Sequence, residues 1–100
     1  MARCPKTAAE AWKRLDKRLT QEEKQQIVEA DNMFDFHFGL GMWIRNYWIY
    51  GGEKENVASL LRELGEQVEE LDGEYIFIGD ADMHSSTILE EYQKHLKGKR

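Results

Sequence analysis

Apolar positions at helical spacing dominate the chain. Thr7-Ala8-Ala9-Glu10 reads as a capping box, and Ala8, Ala11, Trp12, Leu15 and Leu19 follow at intervals that give one apolar face. A second box, Thr20-Gln21-Glu22-Glu23, restarts a helix that is polar apart from Ile27, Val28 and Ala30, which predicts a surface position. Asp31 or Asn32 then caps a third segment, NMFDFHFGLGMWIRNYWIY. Phe34, Phe38, Met42 and Ile49 follow one helical line and Phe36, Leu40, Trp43 and Tyr47 another, so the expectation is a central helix that is apolar almost all round. A strand is the competing reading, but the run is long for a strand and does not alternate. Gly51-Gly52 ends it.

Asn56 is placed to cap a fourth helix, whose stripe Val57, Leu60, Leu61, Leu64, Val68 and Leu71 is the clearest in the chain. Gly65 inside it marks a bend or an earlier stop, because glycine costs up to ~1 kcal/mol in a helix interior. Asp72-Gly73 closes this segment. Residues 74–78 are a short extended run or a tight connector, read as irregular because no partner strand is evident, and a last helix starts around Asp82 to Ser86 with Ile88, Leu89, Tyr92 and Leu96 inward. The pattern predicts an all-α fold, one small domain over residues 1–100 with about five helices and a central apolar helix.

Length and composition agree with that reading. The chain has 100 residues, of which 41% are apolar and 33% charged, with a single proline. Such a domain buries roughly 60–70% of its unfolded surface, enough to fold without metal or disulfide staples. The lone Cys4 allows no internal disulfide and no cysteine zinc site, which favours a reducing, cytoplasmic setting, and it falls in an N-terminal tail. No signal-peptide core opens the sequence, and Asp35, His37, Arg45 and Asn46 interrupt the richest apolar stretch, so no membrane span is expected.

The charge is uneven. Residues 1–50 carry net +1 and residues 51–100 net −6, giving the overall −5. A cationic surface for general nucleic-acid binding is therefore not expected. Lys94, Lys97, Lys99 and Arg100 form a small basic C-terminal cluster, read as favourable charge at a helix end, and His95 among them is expected to face solvent.

Two polar constellations carry the candidate chemistry. His37, Gly41, Arg45 and Trp48 share a helical face. Gly41 allows close approach to the backbone, while His37, Arg45 and Asn46 offer polar contacts to an anion or carboxylate and Trp43 and Trp48 a stacking surface. The alternative is a structural network in which Arg45 pairs with an internal acid, Asp35, Asp80 or Asp82, since an unpaired buried arginine is costly. The second constellation runs Asp80-Ala81-Asp82-Met83-His84-Ser85-Ser86, read either as helix capping or as acid–base chemistry. Its spacing matches no zinc or calcium loop, and no cofactor is implied. No nucleophile elbow, phosphate loop or HExxH pattern is present.

At FHFGLGMWIRNYW, residues 36–48, the sequence resembles an uncharacterised bacterial family of small proteins, a domain of unknown function, marked by the FHFGLGMWIRN core. Pro5, Thr7, Glu10-Ala11-Trp12 and the stretch from Asp80 to Leu89 extend the likeness over most of the chain. It departs from the family pattern in having Ile78-Gly79 where a histidine-proline pair precedes the acidic run, with His84 following instead. The resemblance implies a family and no particular activity.

The leading expectation is a small non-enzymatic binding protein, of immunity or anti-defence type by analogy with proteins of this size. It would sequester or neutralise an anionic, nucleotide-like ligand or a protein partner through His37, Gly41, Trp43, Arg45, Asn46, Trp48, Asp82 and Ser85. Arg45→Ala is then expected to abolish binding and spare the fold. A small hydrolase or lyase using His37 or His84 with Asp80 or Asp82 is the second reading. The third is a homo-oligomer that covers the surplus aromatic surface.

Overall fold

In the computed structural model, which describes residues 2–98, Thr7 and Thr20 cap the first two helices, and only the second of the two expected boxes closes in full. The Thr7 side chain accepts from the Glu10 amide to open α1 (Ala8–Arg18). The Glu10 carboxylate does not return to Thr7; it accepts from the Lys6 amide and pairs with Arg14. Thr20 and Glu23 form the reciprocal box in full at α2 (Gln21–Glu29).

The expected single helix over residues 33–50 is broken. Asn32 accepts from the Phe34 amide and caps a 3-10 turn, Met33–Phe36, after which residues 37–39 leave the helix. Gly39, with ψ −99°, precedes α3 (Leu40–Ile44), which widens into a π-helical turn over Arg45–Tyr50. The break separates Phe34 and Phe38 from the helical line they were expected to share with Met42. All three stand exposed, and so do Tyr47 and Tyr50. The segment is apolar in sequence but not buried all round; Met33, Ile44, Trp48 and Ile49 supply its core contacts.

The stripe assigned to one long helix belongs to two structures. α4 (Lys54–Glu63) buries Val57, Ala58, Leu60 and Leu61 and stops before Gly65, whose φ of +94° only glycine adopts readily. Val68 and Leu71 lie in a strand, β1 (Val68–Leu71), antiparallel to β2 (Glu74–Phe77), with Val68 opposite Phe77. Asp72 and Gly73 both take positive φ, the requirement of a tight hairpin turn. The all-α expectation is thus corrected to a mostly helical fold with a two-stranded antiparallel sheet, and the run at 74–78 does have a partner strand. Asn56 does not cap α4. It donates to the Cys4 carbonyl, while Glu53 accepts from the Arg3 and Cys4 amides, and together they tie the N-terminal segment to α4.

α5 (Ala81–Gly98) is the element around which the others assemble, packing on α2, α3, the 3-10 turn and the π-helical turn. Asp80 accepts from the Met83 amide at its start, and Ile88, Leu89, Tyr92 and Leu96 point inward as expected. His95 is half-buried and stacks on Trp12, with ring centroids 5.8 Å apart, so it does not face solvent as expected. Lys99 and Arg100, the last two members of the basic cluster, lie outside the described residues. Among the described residues no helix is long and apolar enough to cross a membrane.

Cys4 is fully buried, not part of a loose tail. A Cβ on Gly52 would collide with the Trp48 carbonyl and the Cys4 side chain, so glycine there lets the N-terminal segment close over the π-helical turn. Burial, assisted by the Glu53 charge, pushes the Cys4 thiol up to about 12. The folded state therefore holds this proton more tightly than the unfolded state does. Its stabilising contribution is complete below pH 9 and is lost as the pH rises towards 12. Burial and the Asp16 carboxylate, which accepts from Tyr92 Oη at 2.7 Å, push the Tyr92 phenol up in the same sense. Urea unfolding between pH 8 and 11 is expected to show falling stability, with a shallower decline in Cys4→Ala. A thiol reagent at pH 8 is expected to react only on unfolding.

Candidate functional site

The π-helical widening begins at Arg45, whose side chain is carried inward to the first turns of α5. Arg45 is only 7% exposed. Its Nε pairs with Asp82 Oδ1 at 3.2 Å, Nη1 donates to Ser85 Oγ at 3.0 Å, and Nη2 donates to the His37 carbonyl at 2.8 Å. The His37 ring nitrogen Nδ1 lies 3.4 Å from Nη1. The Ser85 hydroxyl donates in turn to the Asp82 carbonyl at 3.0 Å. A guanidinium taken out of water must find partners for its donor fork, and here all three of its nitrogens have one. Gly41 makes the room: a Cβ there would stand 3.2 Å from Arg45 Nη1 and 3.0 Å from the Phe36 carbonyl.

The structure thus brings together His37, Gly41, Arg45, Asp82 and Ser85 and leaves Trp43, Asn46 and Trp48 apart from them. Of the three acids considered for Arg45, Asp82 is the partner; Asp80 caps α5, and Asp35 is exposed. Trp48 is 2% exposed and offers no stacking face. Trp43 is half-buried, with Arg18 4.0 Å above its ring and Trp48 against its edge. Asn46 is exposed. The His37 ring lies between Phe34, stacked at 5.9 Å, and Phe38, edge-on at 4.9 Å.

A second polar pair has no counterpart in the sequence reading. His84 Nδ1 meets Glu66 Oε1 at 2.6 Å, with the two side chains 4% and 9% exposed. The carboxylate facing His84 is neither Asp80 nor Asp82. Glu66 lies in a run of acids, Glu63 to Glu74, and no spacing within that run singles it out. Its second oxygen, Oε2, is buried without a hydrogen-bond partner among the described residues. Among the described residues, no three His, Cys, Asp or Glu side chains converge in a way that would hold a metal ion.

Compared with known proteins, residues 4–96 match the family model described as Domain of unknown function (DUF6794). No curated protein and no solved structure matches the chain.

Proposed function

We propose, for a chain that belongs to the DUF6794 family along nearly its whole length, that it is a small non-enzymatic binding protein acting on a protein partner. The carrying observation is an inversion in the segment from Met33 to Tyr50. Phe34 and Phe38 are each 72% exposed, while the arginine of the same segment is buried. Exposed aromatic side chains on a well-packed support are the usual anchors of protein interfaces, because they bury much apolar area for little lost freedom. Met42, Tyr47 and Tyr50 extend the exposed apolar surface of the segment.

The polar cluster has a supporting part in this reading. By holding the His37 carbonyl and the start of α5 together, Arg45 fixes the turn that carries Phe34 and Phe38. With its nitrogens already engaged, Arg45 has little to offer a nucleotide-like anion, which weighs towards the protein partner. Sequestration or neutralisation of that partner is the proposed mode of action.

The test is quantitative co-purification from the chain's native cells, wild type against Phe34→Asp/Phe38→Asp. The double variant is expected to keep its unfolding temperature within about 3 °C, since exposed positions contribute little to stability. It is expected to lose co-purifying protein at least tenfold. An undiminished set of partners from a folded double variant contradicts the proposal.

A further inference from the structure

We infer that the cleft between the end of the π-helical turn, the start of α4, β2 and the N-terminus of α5 is a binding site for a small phosphate-type oxyanion, separate from the surface proposed above. The cleft has a volume of 170 Å³ and is lined by Tyr50, Lys54, Phe77, Gly79, Ala81 and His84, among others. One ordered water needs only about 10–15 Å³ of such space, so a group of several atoms fits.

Three features converge on it. First, His84 is buried and its ring is fixed from behind. Nδ1 is engaged by Glu66, which does not line the cleft, and Nε2 has no hydrogen-bond partner among the described residues. A carboxylate on one imidazole nitrogen fixes the ring's orientation and tautomer, and so sets what the other nitrogen presents. Second, Lys54 is an exposed cation with no carboxylate partner among the described residues, its ammonium 5.8 Å from the centre of the Phe77 ring. Third, Ala81 opens an 18-residue helix whose start favours negative charge; Asp80 already holds the Met83 amide through its carboxylate and the His84 amide through its carbonyl, which leaves the Ala81 and Asp82 amides for a ligand.

The acids nearest that helix start are already engaged, Asp80 as the cap and Asp82 with Arg45. Hydrogen phosphate, or the terminal group of a phosphate monoester, suits the site better than an aprotic anion. It offers oxygens to Lys54 and to the helix amides, and against Nε2 it either donates or accepts a hydrogen bond. Ile49, Val57 and Phe77 supply the apolar part of the lining.

The experiment is a titration of the full chain with inorganic phosphate at pH 7, with sodium chloride holding ionic strength constant. The readouts are the imidazole resonances of His84 and thermal unfolding. The expected result is a saturable shift of the His84 signals, weakened at least tenfold in Lys54→Met and unchanged in Lys13→Met, an exposed lysine away from the cleft. Lys54 is exposed, so the variant is expected to unfold at the wild-type temperature. A His84 signal that does not saturate, or an equal affinity in folded Lys54→Met, overturns the inference.

Discussion

Replacing Arg45 by alanine is expected to destabilise the protein by about 3 kcal/mol, a fall of roughly 12–24 °C in Tm for a domain of this size. Hydrogen bonds to a charged group contribute about 1.5–3 kcal/mol each, and breaking a fully buried ion pair costs about 3–5 kcal/mol. The estimate sits at the low end of that second range because the Asp82 side chain is 61% exposed and water can take over its lost partner. Ser85 Oγ and the His37 carbonyl are left facing a void where the guanidinium was. Arg45→Lys keeps the charge but not the planar fork and should recover only part of the loss. Thermal unfolding followed by circular dichroism checks this. An unchanged Tm in Arg45→Ala would return Arg45 to the role of a ligand-binding group.

The second large effect is expected at Trp48. Its side chain is 2% exposed and packs with the buried core, so Trp48→Ala should cost about 3–5 kcal/mol through lost burial and the cavity left behind. Trp43→Ala should cost clearly less, because Trp43 is half-buried and its neighbours Arg18 and Tyr47 are themselves exposed. Denaturant unfolding of the two variants side by side separates them. Equal losses, or a stable Trp48→Ala, contradict the assignment of Trp48 to the core.

The sequence was most legible where local signals and burial agreed. Thr7 and Thr20 marked their helices, and Ile88, Leu89, Tyr92 and Leu96 marked the inward face of α5. It misled where two periodicities coincide. Val68 and Leu71 are three residues apart and continue the stripe from Leu61 and Leu64, yet Gly65 ends the helix and Asp72-Gly73 pairs the next residues into a hairpin. In the aromatic segment, residue type pointed to burial, but the Asn32 cap and the break before α3 turn Phe34 and Phe38 outward.

The polar cluster was half legible. An arginine among aromatics demands a partner, and Asp82 was among the acids considered for that part. Spacing along one helix grouped His37, Gly41, Arg45 and Trp48, but the break and the π-helical turn redistribute that face, so Trp48 enters the core while Ser85 joins the cluster from α5. The Glu66–His84 pair depends on where the hairpin returns to α5, and local sequence carries no trace of that.

The central claim is that Phe34 and Phe38 form a surface for another protein, held in place by Arg45. The most direct measurement places a photo-crosslinking amino acid at Phe38, and at exposed Lys13 as a control, in the chain's native cells. The account predicts a discrete adduct with a different protein from position 38 and none of that mass from position 13. No adduct at 38, or only an adduct with a second copy of this chain, would contradict it.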